Sequence, residues 1–184
     1  MSQHLLDYIV SQIHDIAGTE AIIESKLNFD RPMVVLASQF WHEPVAKMLK
    51  EDEKLQFDFL SCLLGVDYQD RMEVVYQLYS ISLDQYAVIK VITDSQQPEV
   101  SSVSAVWGTA NWHERETYDL LGIRFPGHPN LTRILLDDEW QGHPLRKDYS
   151  MPDDEVDYQM NNSSNQRHSQ ETRNQDGQEG SKDV

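Results

Sequence analysis

Apolar residues recur every three to four positions at the start of the chain. In residues 3–17, QHLLDYIVSQIHDIA, positions Leu5, Leu6, Ile9, Ile13 and Ile16 fall on one helical stripe, and Gly18 stops it. The period then changes. AIIESKLNF and MVVLAS read as two short strands around the turn Asn28-Phe29-Asp30-Arg31-Pro32. Ser38 is placed to cap a second helix reaching about Lys50, with Pro44 in its first turns. MEVVYQLYSI and YAVIKVITD are rich in Val, Ile and Tyr and predict an antiparallel hairpin across Leu83-Asp84-Gln85. FLSCLLGVDY is apolar without a clear period, so strand and helix both stay open. Residues 98–107 predict a short helix. NWHERETYDLLG predicts a longer one, with Asn111 at its cap, Glu114 three residues on, and Gly122 at its stop. A hairpin in the middle of alternating helices and strands favours a small α+β fold over a doubly wound parallel sheet. The sheet is expected to be mixed or antiparallel, with helices packed on it.

The pattern breaks down after this helix. Gly-His-Pro occurs twice, at 127–129 and 142–144, each followed within a few residues by Arg. Proline removes a backbone donor and disfavours helix before it, and glycine admits a tight turn. Residues 123–150 therefore read as an extended strap with two sharp bends. Yet the strap carries Phe125, Leu131, Ile134, Leu135, Trp140 and Leu145 among basic residues. Such a segment needs a surface to lie on, partly its own domain and partly another protein, with Arg133, Arg146 and Lys147 making charge-assisted bonds. Residues 151–184 have few apolar residues and are expected to form a disordered acidic and polar tail. The division is thus 1–122 for the α+β domain, 123–150 for the strap and 151–184 for the tail.

Composition narrows the functional classes. The net charge is −16, from 31 acidic and 15 basic residues, which opposes binding to nucleic acid or anionic membrane. The single cysteine, Cys62, excludes an internal disulfide and a self-contained iron–sulfur or zinc-thiolate site. No basic n-region opens the chain, so no signal peptide is expected. No stretch reaches the roughly 18–20 apolar residues of a membrane span. A soluble chain of the cytoplasm, able to sit at a membrane through a partner, is the expectation.

The candidate chemistry is sparse. The last helix places Trp112, Arg115, Glu116 and Asp119 on roughly one face, either as a solvated face with local Arg115–Asp119 pairing or as a docking face. His113, His128 and His143 are fifteen residues apart, without the i, i+4 histidine pair usual in zinc hydrolases. Cys62 lies in an apolar run where a buried, inert thiol is the default. Glu114 or Glu116 with Asp119 is a conceivable acid–base pair, but no substrate-binding loop accompanies it.

At this point a resemblance becomes specific. Glu-Arg-Glu-x-x-Asp-Leu-x-Gly-Ile-x-Phe runs from Glu114 to Phe125. His-Pro-x-Leu-x-Arg-Ile-Leu runs from His128 to Leu135. Gly-His-Pro-Leu-Arg-Lys-Asp runs from Gly142 to Asp148. With FDFLSCLLGVDY at 57–68, these resemble the 30 kDa-type subunit of proton-pumping NADH–quinone oxidoreductase, respiratory complex I. The likeness covers about residues 1–150; Thr132 departs from it, standing where many members have a second Arg. The resemblance implies a subunit with no catalytic site and no cofactor or metal of its own. It implies a place in the peripheral arm, on the cytoplasmic side of a membrane. There the chain would pack against the large quinone-site subunit, near the small iron–sulfur subunit. The complex is expected to use iron–sulfur clusters and quinone, and FMN if NADH is the donor. Arg115, Glu116, Asp119, Arg133, Arg146, Lys147 and Asp148 are expected to make assembly contacts or internal ties. Glu114 is expected to cap its helix, and His128 and His143 to bond within their turns. Two other readings stay open: the equivalent subunit of a membrane-bound hydrogenase or a ferredoxin- or F420-linked complex, and a free-standing metal-dependent hydrolase using His113, His128 and His143.

Overall fold

The computed structural model describes residues 2–151, so the tail expected to be disordered lies outside the described residues apart from Met151. Helix α1 (Ser2–Ala17) is followed by strands β1 (Ile22–Asn28) and β2 (Arg31–Ala37) and by helix α2 (Glu43–Glu51). Strands β3 (Phe59–Asp67), β4 (Arg71–Ser80) and β5 (Gln85–Asp94) come next, and then helix α3 (Ala110–Leu121). The strands form one five-stranded sheet in the order β1-β2-β5-β4-β3. Within it β2 and β5 run parallel, and the other pairs are antiparallel. The fold is the expected α+β class with a mixed sheet.

Alternation along the central strands decides which face the helices cover. Met72, Val74, Tyr76 and Leu78 of β4 are buried on one face, beside Ala87, Ile89 and Val91 of β5. Helix α1 adds Leu6, Ile9 and Ile13 to this core, and α2 adds Val45, Ala46 and Leu49. Each buried aliphatic side chain contributes about 1.5–3 kcal/mol. A one-residue slip of either strand would turn the whole set outward, so burial fixes the register. The apolar run at 59–67 is the edge strand β3, whose pairing with β4 shifts register between Leu60 and Cys62. That irregularity is why its sequence shows no clean period. Helix α3 packs along β3.

Two local expectations are corrected. Ser38 opens a separate 3₁₀ turn, Ser38–Phe40, and does not cap α2. Trp41 is completely buried, and the extended backbone at Trp41 and His42 separates that turn from the helix. Pro44 does lie in the first turn of α2. Residues 98–107 are not helical. Val100 and Ser102 donate their N–H groups to the carbonyls of Arg124 and Pro126, and Arg124 donates to the carbonyl of Pro98. Residues 98–102 thus bond to the chain that leaves α3, a long-range pairing that competes with the local helix, and Val106 and Trp107 make only a local turn back to the Val103 carbonyl.

Candidate functional site

The residues singled out by the sequence converge on α3 and the strap it carries. Gly122 ends α3 in the left-handed region, φ 76°, and turns the chain back along the helix. Gly127 and Gly142, which open the two Gly-His-Pro turns, also have positive φ, 89° and 81°. Residues 122–149 contain no further helix or strand beyond the bridge at Arg124, yet they belong to the same compact unit as the sheet.

Asp119 is the centre of this arrangement. The residue is fully buried, and one carboxylate oxygen accepts the consecutive N–H groups of Ile134, Leu135 and Leu136, at 2.9, 2.8 and 3.0 Å. The other oxygen accepts from the Arg133 guanidinium at 2.7 Å. Burial pushes this carboxyl up, but the three N–H groups and Arg133 outweigh it and hold the pKa down at about 2. Asp119 is therefore an ionised anchor seated in a nest of backbone donors. Arg133 also donates to the carbonyls of Asp119, Trp140 and Gly142, which closes the second bend of the strap onto the helix.

The neighbouring residues fasten the same segment. Arg115 donates to the Thr132 carbonyl, the Thr132 hydroxyl and the Arg133 carbonyl, and stacks over the Trp112 ring at 5.2 Å. Local Arg115–Asp119 pairing is thus replaced by strap contacts, because the strap offers both residues better partners than the solvated helix surface does. His143 donates from Nδ1 to the Asp119 carbonyl at 2.9 Å, with its ring edge-on to Tyr118. His128 accepts the Asn130 N–H on Nδ1, which leaves the proton on Nε2 to donate to the Asn111 carbonyl at 3.0 Å. Arg146 reaches the Ser95 carbonyl at 2.7 Å and pairs with the exposed Asp148. The Lys147 N–H donates to Asp67, and its ammonium lies 5.8 Å from the Tyr68 ring. Burial raises the Asp67 pKa, and the Lys147 and Gln69 N–H groups, with Arg146 and Lys147, bring it below its usual value. Of the two roles left open for Arg133 and Arg146, assembly contact or internal tie, the described bonds of both are internal ties.

Glu114 plays a different part from the one expected. Helix α3 starts at Ala110 after Thr109, with no side-chain cap. The Glu114 side chain points inward and accepts from the Ser102 hydroxyl at 2.6 Å and the Val103 N–H at 2.8 Å. It pins the loop before α3 because the loop, not the helix start, lies beside it. Burial raises its pKa to about 7, against the opposing pull of those two bonds. Glu114, Glu116 and Asp119 form no acid–base pair: the first and last are buried in separate networks, and Glu116 is exposed. The three histidines are also apart. His113 contacts the Leu63 backbone, His128 Asn111 and His143 Asp119, and no group of three or more His, Cys, Asp or Glu among the described residues is placed to hold a metal.

Asp119, Arg133 and Arg146 are turned inward, while Glu116, Asp137, Asp138, Glu139, Lys147 and Asp148 stay exposed together with several apolar residues. Trp112, Leu135 and Leu145 are 60%, 59% and 60% exposed. Beside Leu145, a cleft of about 250 Å³ between β3 and α3 is lined by Cys62, Leu64, His113, Glu116 and Leu120. Sequence reasoning missed Asp67, Ser95 and Ser102, which receive the strap and the loop. None carries a local signal, because each works through a partner far along the chain.

Fold and site together define a class: a small α+β domain whose C-terminal strap is locked down by a buried aspartate and leaves apolar residues exposed. Similarity to known proteins makes the class specific. Residues 34–155 match the family described as "Respiratory-chain NADH dehydrogenase, 30 Kd subunit". A subunit of NADH-quinone oxidoreductase from Moorella thermoacetica is 43% identical over 131 residues, 70% of this chain and 86% of that one. Proteins of the same name from Roseiflexus sp. and Chloroherpeton thalassium are 47% and 46% identical, over 64% and 59% of this chain. The chain spans 69% of the first and 46% of the second, so about half the length of some curated relatives. Among solved structures, a trypsin-resistant fragment of Nqo5 is similar with TM-score 0.50 and 28% identity, covering 67% of this chain and 99% of that one. A chain of an archaeal membrane-bound sulfane sulfur reductase shares the fold, with TM-score 0.54 and 23% identity, over 79% and 85% of the two. The chain belongs to the 30 kDa subunit family of respiratory-chain NADH dehydrogenase.

Proposed function

We propose that this chain is a non-catalytic peripheral-arm subunit of a complex I-like NADH–quinone oxidoreductase. It binds no flavin, cluster or quinone of its own, and supports the large quinone-site subunit and the small iron–sulfur subunit while the assembly couples electron transfer to proton pumping. It is held at the cytoplasmic face of the membrane through these partners; among the described residues no helix is long and apolar enough to cross a bilayer. The observation that carries this reading is the exposed trio Trp112, Leu135 and Leu145 on α3 and on the strap that the buried Asp119 ties down. Exposed apolar side chains on an already ordered segment cost little ordering entropy when a partner covers them. The cofactor-free reading is supported by the single cysteine, since cluster ligation takes about four.

The test is purification of the affinity-tagged chain from its own membranes. The reading expects stoichiometric quinone-site and iron–sulfur subunits and NADH–quinone activity in the assembly. The isolated chain should oxidise no NADH and retain no metal after chelation. Activity or stoichiometric metal in the isolated chain would overturn it.

A further inference from the structure

The opposite end of the sheet is built in a way the strap does not explain. Strands β2 and β5 run parallel with Met33 opposite Val88, so the β1–β2 and β4–β5 turns emerge at the same end. The strap's attachments at Asp67 and Ser95 are at the other end. At the turn end Phe29 is 94% exposed, and Ile81, Leu83, Phe59 and Tyr86 are also exposed. Asp30, Arg31 and Pro32 of one turn and Leu83 and Asp84 of the other line a shared cleft of about 220 Å³. The two turns therefore present one continuous surface.

Phe29 is costly where it stands. Phe29 and Asp30 have φ 48° and 60°, both left-handed. A two-residue hairpin turn of this kind favours Asn-Gly or Asp-Gly, and a bulky residue at positive φ is an outlier. Local physics asks for glycine, and the chain instead offers an aromatic ring to the outside. The same end of the sheet carries the carboxylates of Asp30, Asp58 and Asp84. Asp58 accepts the Ile81 N–H and Asp84 the Tyr79 hydroxyl, so these two charges are fixed in position. Two nearby cations lie over aromatic rings, exposed Arg31 over Tyr86 at 4.7 Å and Lys54 over Tyr8 at 4.8 Å.

We propose that this turn end is a second docking surface, taking a protein partner that offers an apolar pocket for Phe29 inside a rim of Lys and Arg. An apolar centre within a charged rim is the anatomy of a specific interface. The acidic rim and the net charge of −16 select the occupant. An anionic bilayer is repelled, and a second copy would bring the same carboxylates to the contact. The surface lies at the far end from the strap, so it stands whether or not the strap contacts the quinone-site subunit.

The test places a photoreactive benzophenone amino acid at position 29 of the full chain in its native cells, with the same probe at exposed Ile16 as a control. The expected product is a single protein cross-linked at an apolar peptide flanked by Lys or Arg. Its yield should fall at least tenfold in the Asp30→Asn, Asp58→Asn, Asp84→Asn variant. Cross-linking to lipid or to another copy, or a yield no higher than at position 16, would overturn the proposal. A second variant separates contact from folding. Phe29→Gly suits φ 48°, so the isolated chain should keep or raise its melting temperature while retention of that partner drops at least tenfold. Unchanged retention would overturn it.

Discussion

Asp119→Asn keeps the shape of the buried anchor and removes its charge. Holding the carboxyl at about 2 against an ordinary 3.8 makes ionisation of Asp119 worth about 2 kcal/mol at neutral pH. The amide also turns an NH₂ toward donors that converge on both oxygens. At least one N–H of Ile134, Leu135, Leu136 or Arg133 then loses its acceptor, adding about 1–3 kcal/mol. The expected loss is about 3–5 kcal/mol at pH 7, taken either as global destabilisation or as local opening of the strap. The folded pKa lies below the unfolded one. This stability is therefore present above about pH 4 and fades as pH falls toward about 2 in the native chain. The variant should lack that acid-side slope. Urea unfolding from pH 2 to 7 measures the free energy, and hydrogen exchange at the amides of residues 134–136 measures the strap. A loss under about 1 kcal/mol with those amides still protected would refute the nest as the strap's anchor.

Two further changes probe the ties around it. Glu114 titrates higher in the fold, at about 7 against 4.5, so its stabilising contribution is full below about pH 4.5 and is lost as pH rises to about 7, a difference of about 3 kcal/mol. Glu114→Gln should flatten that slope and leave the chain more stable than its parent at pH 8; urea midpoints from pH 4 to 8 would show it, and an unchanged slope would contradict the burial assigned to Glu114. Gly122→Ala puts a methyl 2.5 Å from the His143 ring at φ 76°, where both clash and backbone resist it. A loss of about 1–3 kcal/mol with displaced His143 ring resonances is expected, and unmoved resonances would contradict the packing.

Strong periodicity made the fold readable. The stripe of α1 and the β4–β5 alternation both answer to one buried face, so local pattern and tertiary packing agree. Apart from the Ser38 cap, the failures share one cause. Residues 98–102 bond to Arg124 and Pro126, Glu114 to Ser102, and Asp119 to residues 133–136. In each case a distant partner outcompetes the local one. A helical projection of α3 alone places Asp119 among solvated charges, and only the strap folded over it makes it buried. The Gly-His-Pro turns were legible as bends from their residue types. Whether Arg133 and Arg146 tie the strap internally or meet a partner was not legible, because a cation reads the same whether it meets a partner's carboxylate or its own backbone carbonyls.

The most direct measurement combines partner recovery with stability for Leu135→Asp with Leu145→Asp, two exposed positions on the locked strap. The tagged chain is purified from its membranes, and the same variant is unfolded in urea alone. Recovery of the quinone-site and iron–sulfur subunits should fall at least tenfold while the urea midpoint stays at the parent value. Full recovery of those subunits, or a midpoint that falls together with recovery, would contradict a strap locked from within to present an apolar surface outward.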